Sequence, residues 1–204
     1  MIELIAFPSS PNSLKPVIVL EELGLDYKLS HIDLRKGEQH GVHFKAMNPN
    51  GKVPVIVDRG ITLAESGAIL VYLAEMHSQL IPFDPSSRAR VFEQLFFHAS
   101  ALSPAFLQAF FANIRKDASE EHKSNALKEV DRVLGVLETH LETRSFVAGD
   151  DYSIADIAHF GWLWRHDAVG VDFTNIPRVK RWYEMMSRRP TVISAIGKVS
   201  ALSG

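Results

Sequence analysis

Cysteine is absent from this chain of 204 residues. Its absence excludes a disulfide framework, a zinc–thiolate site and a cysteine nucleophile supplied by the protein. A strong charge of either sign is also missing, because 22 Lys and Arg side chains are balanced by 24 Asp and Glu, which gives a formal net charge of −2. A near-neutral chain offers no electrostatic basis for binding nucleic acid or an anionic membrane, so neither partner is expected.

Basic leaders and uninterrupted hydrophobic runs are missing as well. Residues 2–7 are apolar, but Glu3 interrupts them and no basic residue precedes them, unlike a secretory signal. The most apolar later stretch, residues 91–111, is interrupted by polar residues and by Pro104, so no bilayer span is predicted there. We therefore expect a cytoplasmic protein.

The first half of the chain has the periodicity of a small mixed α/β domain. Predicted strands cover residues 2–7, 27–34, 52–58 and 61–63, and predicted helices begin after Ser13 and cover residues 65–77. The long crossover between the first two strands favours parallel pairing, and the short link around Gly60 favours a hairpin. The predicted order is βαβ, an irregular or helical segment, then ββα.

The second half has only helical periodicity. Amphipathic segments cover residues 88–114, 120–141, 153–168, 177–187 and 191–199. A Pro- and Ser-rich linker precedes them. The fold class is therefore α+β followed by all-α, with predicted domains at residues 1–80 and 86–204.

The stretch from Asn48 to Val57 is the most informative motif. Pro54 cannot donate to a sheet, so it belongs at a strand start or on an edge strand. If the Val53–Pro54 bond is cis, the Val53 backbone can pair with an extended peptide. The residues alone favour the trans form, because cis bonds are a small minority.

Two further segments carry polar groups at helix starts. The loop Ser9-Ser10-Pro11-Asn12 offers hydroxyl and amide donors to a thiolate, or it is a plain capped turn. The segment from Glu65 to Ala68 opens a helix whose free N–H groups and the Ser66 hydroxyl suit a carboxylate, or it is an ordinary helix start.

The remaining polar motifs favour structural roles. Ser153 and Asp156 have the spacing of a capping box, so Asp156 is predicted to be a folding determinant. The nine histidines lack the spacing of a metal site, and none is predicted. The phenylalanines of the first bundle segment are typical of core, although Phe106 and Phe110 are candidates for lining an apolar cleft.

Taken together, these motifs resemble the cytosolic glutathione transferase family. The resemblance is carried along the whole chain by Pro8…Asn12, Asn48-Pro49…Lys52-Val53-Pro54, Glu65-Ser66-Gly67-Ala68-Ile69 and Ser153-Ile154-Ala155-Asp156. Within the family, Ser-x-Pro-Asn is similar to the bacterial nu class and the fungal nitrogen-regulator-like proteins.

The resemblance implies a fold and a ligand. It implies a thioredoxin-like domain at residues 1–80, a helical domain at residues 86–204 and a cis Val53–Pro54 bond, contrary to the preference of the residues alone. It also implies glutathione as co-substrate, no metal, and a homodimer.

The resemblance also implies roles for individual residues. Asn12 ranks first as the residue at the thiol, with Ser10 and Ser9 as alternatives. Glutathione would be held at its cysteinyl part by Val53 and Pro54, at its γ-glutamyl end by Glu65 and Ser66, and at its glycine end by Lys52 and Gln39. An apolar wall for the second substrate would be built by Phe7, Phe106 and Phe110.

Three functions follow from this resemblance. The first is a glutathione S-transferase that stabilises the glutathione thiolate for attack on a small hydrophobic electrophile. The alternative is a glutathione-dependent disulfide-bond reductase, which equally needs no protein cysteine. The second alternative is a regulatory protein that binds glutathione without turnover.

Overall fold

The protein is described from a computed structural model, which describes residues 1–115 and 117–202. The strands are β1 Ile2–Ala6, β2 Tyr27–His31, β3 Val55–Asp58 and β4 Ile61–Ala64. The helices are α1 Pro11–Glu22, α2 Val42–Met47, α3 Ser66–His77, α4 Pro85–Phe97, α5 Ser103–Ile114, α6 Glu120–His140, α7 Ile154–Leu163, α8 His166–Val169, α9 Pro177–Ser187 and α10 Pro190–Ala201. Two 3₁₀ turns cover Leu34–Lys36 and Glu38–His40, and a π-turn covers His98–Leu102.

The chain divides into two compact units. The first unit contains Met1–Gln79 together with the C-terminal segment that begins at Arg188, and the second contains Leu80–Ser187. The thioredoxin-like sheet with its helices lies in the first unit, and the second unit is helical. The sequence predictions placed the C-terminal helix α10 in the helical domain. In the structure, α10 belongs instead to the first compact unit.

The first unit contains a four-stranded mixed sheet in the order β2-β1-β3-β4. β1 pairs in parallel with β2, with Leu4 opposite Leu29, and antiparallel with β3, with Leu4 opposite Ile56. β3 and β4 form an antiparallel hairpin. The predicted parallel pairing and the predicted hairpin are both confirmed.

β1 is one residue shorter than predicted, and β2 and β3 are each three residues shorter for local reasons. β2 ends at His31, and two residues later the Asp33 carboxylate accepts hydrogen bonds from the backbone N–H groups of Arg35 and Lys36, which starts a 3₁₀ turn. β3 begins only at Val55, because the preceding residues form a loop closed by the Asn48 side chain. These local hydrogen bonds compete with the sheet ladder.

α1 lies between the sheet and other helices of the first unit. Leu14, Val17 and Ile18 on this helix are fully buried. Its C-terminal end contacts α10, where Arg189 and Thr191 both donate to the Glu22 carboxylate. α10 therefore covers a face of α1 that would otherwise be exposed in this unit.

The second unit is organised around α7, which is buried along its whole length. The predicted capping box is present, since Ser153 and Asp156 exchange backbone and side-chain hydrogen bonds. Asp156 also accepts from the Trp182 indole of α9. These contacts support the prediction that Asp156 is a folding determinant, which unfolding measurements would test.

The predicted helix over residues 88–114 is interrupted by the π-turn at His98–Leu102. Pro104 follows it and has no N–H to bond the carbonyl of Ser100, so the regular ladder cannot continue there. By length and composition the run Pro85–Ile114 could cross a membrane, but the core helices of soluble proteins pass the same test. This run is the single such helix in residues 1–115 and 117–202.

Candidate functional site

The loop between β1 and α1 is held in place by two serines. Ser10 is the N-cap of α1, and its hydroxyl accepts a hydrogen bond from the Ser13 backbone at 3.2 Å. The Ser13 hydroxyl is buried and accepts from the Phe7 backbone at 3.1 Å. Ser9 takes no part in this cap. The loop is therefore rigid on both sides of Ser9 and Ser10.

Asn12 is the second residue of α1 and is half-buried. Its Oδ1 accepts a hydrogen bond of 2.7 Å from Nζ of Lys15, one helical turn later. Lys15 is 1% exposed, and its burial lowers the pKa of the ammonium to about 7, although the Glu65 carboxylate acts in the opposite direction. The Asn12 amide is thus held by a buried lysine.

A second loop is closed by the buried side chain of Asn48. Its Nδ2 donates to the Lys52 carbonyl at 2.7 Å, and its Oδ1 accepts from the Asn50 backbone at 3.0 Å. The Val53–Pro54 bond that follows is cis, as the resemblance implies, and Pro54 directly precedes β3. Pro54 therefore stands at a strand start, as its missing N–H requires.

Glu65 joins this second loop to the start of α3. It is the exposed N-cap of α3 and has a φ of 68°, an uncommon conformation for a residue with a side chain. Its Oε1 accepts a hydrogen bond of 3.5 Å from Nδ2 of Asn50. Ser66 is the first residue of α3, where backbone N–H groups have no partner inside the helix. The Glu65 carboxylate, the Ser66 hydroxyl and the free backbone N–H groups therefore all lie at the start of α3.

Gln39 and Lys52 come close through Gly51. A Cβ added at Gly51, which has a φ of +65°, would lie 3.3 Å from the Gln39 carbonyl oxygen. The 3₁₀ turn that carries Gln39 thus packs against the loop that carries Lys52, whose side chain is exposed. Glycine is favoured here by both the positive φ and the close approach.

The three predicted wall residues differ in exposure. Phe7 is half-buried, stacks on His31 with ring centroids 6.1 Å apart, and has the Arg35 guanidinium 6.0 Å from its ring. Phe110 is half-buried on α5. Phe106 is fully buried against Trp162, so its ring offers no surface to a ligand and the expected wall role is not supported for it.

Two site residues were not predicted from the sequence. Lys15 is a charged residue within the buried face of α1, between Leu14 and Pro16. Its place in this apolar stretch is the sequence signal that could have identified it. Asn50 contacts Glu65, but no sequence pattern marked this pairing. Within residues 1–115 and 117–202, no group of three or more His, Asp or Glu side chains is arranged to hold a metal ion.

Comparison with known proteins gives matches over most of the chain. The sequence profile of the "Glutathione S-transferase, N-terminal domain" matches residues 2–75, and that of the "Glutathione S-transferase, C-terminal domain" matches residues 97–190. The disulfide-bond oxidoreductase YfcG of Escherichia coli is 34% identical over 200 residues, which cover 94% of this chain and 93% of YfcG.

Solved structures give similar matches. A glutathione transferase family member from Pseudomonas fluorescens with two glutathione bound has a TM-score of 0.89 and 34% identity, covering 96% of this chain and 92% of that chain. Ure2p in complex with S-hexylglutathione has a TM-score of 0.90 and 31% identity, covering 96% of this chain and 97% of that chain.

Proposed function

Because the chain belongs to the glutathione S-transferase family, we propose that it is a glutathione-dependent transferase acting on small hydrophobic electrophiles. The observation that carries the proposal is the half-buried Asn12 amide in the first turn of α1, which is held by Lys15. The first unit thus has a fixed amide donor for a thiol, separate from the polar groups gathered around Glu65. The solved relative with two glutathione molecules bound supports the same ligand.

Glutathione would be held by three groups of contacts. The first turn of α3 and the Ser66 hydroxyl would bind the γ-glutamyl carboxylate, and Glu65 would bind its ammonium group. The backbone of Val53, ahead of Pro54, would pair with the cysteinyl part as an added strand does. Lys52 and Gln39 would hold the glycine carboxylate at the other end.

Thiol activation would come from hydrogen bonds at sulfur. A free thiol has a pKa near ~8.5, so only a small fraction is ionised at neutral pH. Donors such as Asn12 Nδ2 and the hydroxyl of Ser10 or Ser9 stabilise the thiolate, and each contributes about 1–3 kcal/mol. Asn12 is the first candidate, because its acceptor oxygen is already occupied by Lys15.

The chemical step would be a nucleophilic displacement. The thiolate forms a C–S bond with the electrophile, and the bond to the leaving group, such as chloride, breaks with its electron pair. Phe7 and Phe110 are the residues we propose for the apolar wall, since each ring is partly exposed. No group on the protein has to change its oxidation state in this reaction.

The proposal is tested by titrating reduced glutathione into the protein by calorimetry and following thiolate absorbance against pH. Ser66→Ala is expected to weaken binding about tenfold, as loss of one hydrogen bond to a charged group does. Asn12→Ala is expected to raise the pKa of the bound thiol by about one unit. Ser187→Ala and Asn125→Ala, on α9 and α6, are the matched controls.

The outcome decides between classes of function. Absence of glutathione binding in the wild type would contradict the proposal. Tight binding together with no turnover of any electrophile or disulfide would instead support a regulatory glutathione-binding protein.

A glutathione-dependent disulfide reductase is the second candidate, favoured by the likeness to YfcG and by the relative with two glutathione bound. One glutathione thiolate would attack a substrate disulfide, forming a mixed disulfide and releasing a thiolate. A second glutathione would then release the reduced substrate and leave as glutathione disulfide. Turnover of a small disulfide compared with a chloro-nitroarene distinguishes the two reactions.

A homodimer and a cytoplasmic location complete the proposal. Family membership supports both, and large apolar side chains are exposed at Met76 (46%), Phe83 (81%) and Phe96 (71%). Sedimentation of wild type and Phe96→Ser tests the dimer, and a monomeric wild type at micromolar concentration would contradict it.

A further inference from the structure

Lys15 is an unusual residue for the interior of a protein. It is 1% exposed on α1, and its neighbours Leu14, Val17 and Ile18 are fully buried apolar side chains. Burying an ammonium group is costly, so lysines are almost never fully buried without specific partners. The partners that this lysine has therefore indicate why it is there.

While Lys15 is charged, its contact with Asn12 has only one chemically acceptable orientation. The ammonium Nζ lies 2.7 Å from Oδ1, and an ammonium group donates hydrogen bonds but accepts none. The amide oxygen must therefore face the lysine, and the Nδ2 hydrogens must point elsewhere. Asn12 is half-buried, whereas Lys15 is fully buried.

We propose that Lys15 is a positioning residue, which fixes the Asn12 amide so that its Nδ2 hydrogens face the sulfur of glutathione. The inference rests on the proposed function, in which Asn12 is the donor to the thiol. The ammonium also polarises the amide through its oxygen, which makes Nδ2 a stronger donor to an anion. Lys15 itself touches neither sulfur nor electrophile.

The charges around Lys15 agree with this role. The Glu65 carboxylate at the start of α3 favours the charged form of the lysine, and the pKa of about 7 leaves the ammonium well populated at neutral pH. On α10, Arg189 and Lys198 are paired with Glu22 and Glu21 at the opposite end of α1. The ammonium thus lies under the influence of one carboxylate of the same site.

The test is the variant Lys15→Met, which keeps the shape of the side chain and removes the donor and the charge. Lys128→Met is a matched control, because Lys128 makes the same contact to Asn125, three residues earlier, on the exposed face of α6. We expect Lys15→Met to raise the pKa of the bound thiol by about one unit and to lower kcat about tenfold. The KM for glutathione should change less than about threefold, and Lys128→Met should match wild type.

A double variant separates positioning from a general structural effect. If Lys15 acts through Asn12, adding Lys15→Met to Asn12→Ala shifts the thiol pKa no further. If Lys15→Met shifts the thiol pKa equally in the presence and in the absence of Asn12, the proposal is overturned. A wild type that binds no glutathione would instead contradict the proposed function, whereas normal binding with an unchanged thiol pKa in Lys15→Met contradicts only this inference.

A measurement on the wild type protects the test against misfolding of Lys15→Met. The side-chain amide resonance of Asn12 is identified in nitrogen-15 NMR spectra by its loss in Asn12→Ala. We expect it to shift on addition of glutathione and to shift less with S-methylglutathione, which lacks a thiolate. An unchanged resonance with both ligands would overturn the assignment.

Discussion

The indole Nε1–H of Trp182 donates a hydrogen bond of 2.9 Å to Oδ1 of Asp156, and both side chains are buried in the second unit. The same carboxylate accepts from the backbone of Val147 and of Ser153, each at 3.0 Å. One buried group thus ties α9 and the preceding loop to the start of α7. Burial raises the pKa of Asp156 to about 6, against the effect of these donors.

Replacing Asp156 by Ala is predicted to destabilise the protein by about 3 kcal/mol or more. The change leaves the buried donors of Trp182, Val147 and Ser153 without their acceptor, and each such group carries a desolvation cost. The measurement is denaturant unfolding followed by tryptophan fluorescence. Asp151→Ala, an exposed acid in the preceding loop, should stay within about 0.5 kcal/mol of wild type. An equal loss in both variants would contradict the assigned role.

The stability of the wild type is predicted to rise with pH relative to Lys15→Met. The pKa of Lys15 is lowered to about 7 in the folded chain, so between pH 7 and the ordinary lysine pKa the unfolded chain binds more protons than the folded one. The folded state therefore gains about 2 kcal/mol from pH 7 to pH 9. Urea unfolding at both pH values, with wild type and variant compared, measures this gain. Parallel curves for the two proteins would show that Lys15 keeps an ordinary pKa.

Glu65→Gly is predicted to separate stability from ligand binding. Its φ of 68° strains a residue with a side chain, and glycine relieves a cost of about 1 kcal/mol. The free energy of unfolding should therefore stay equal or rise, while glutathione binding weakens about tenfold through loss of the carboxylate. Thermal unfolding and calorimetry on the same samples test both. Glu75→Gly, inside α3, is the control and should lose about 1 kcal/mol. Unchanged binding in Glu65→Gly would remove Glu65 from the site.

Glu22→Ala is predicted to loosen the attachment of α10. Its carboxylate accepts two hydrogen bonds from Arg189 and one of 2.6 Å from Thr191, and the pair is largely shielded from solvent. We expect a loss of about 2 kcal/mol in unfolding free energy. Glu142→Ala removes a more exposed acid that also pairs with an arginine, and it should cost less than about 0.5 kcal/mol. Amide hydrogen exchange in α10 that is faster in Glu22→Ala, but not in Glu142→Ala, would show that the loss of stability arises where α10 attaches to α1.

Much of the first unit could be predicted from the sequence, because its signals are local. The apolar run before Pro8 and the glycine at position 60 each act over a few residues, and the structure confirms the strand and the hairpin that they predict. The first helix is also confirmed, but its N-cap is Ser10 and not Ser13, so α1 begins earlier than predicted. The capping box at Ser153 is local too. The order of the motifs along the chain indicated the family, which no single motif could have identified.

Features that depend on distant partners escaped prediction. Lys15 stands within an apolar stretch of α1, but the sequence alone does not show that its neighbours are buried on all sides. Phe106 and Phe110 have the same spacing signal, but only contacts such as that with Trp162 reveal which one is core. The site roles themselves stay predictions.

The position of α10 determines when the first unit can finish folding during synthesis. α1 is synthesised long before α10, because the helix that covers its face follows it in the chain by more than 150 residues. Folding proceeds along the chain as synthesis does, so the helical unit can form while the first unit still lacks one of its layers. Final closure of the first unit must wait until α10 has left the ribosome. During that interval Glu21 and Glu22 face solvent, and the sheet domain depends on the rest of the chain to complete its own core.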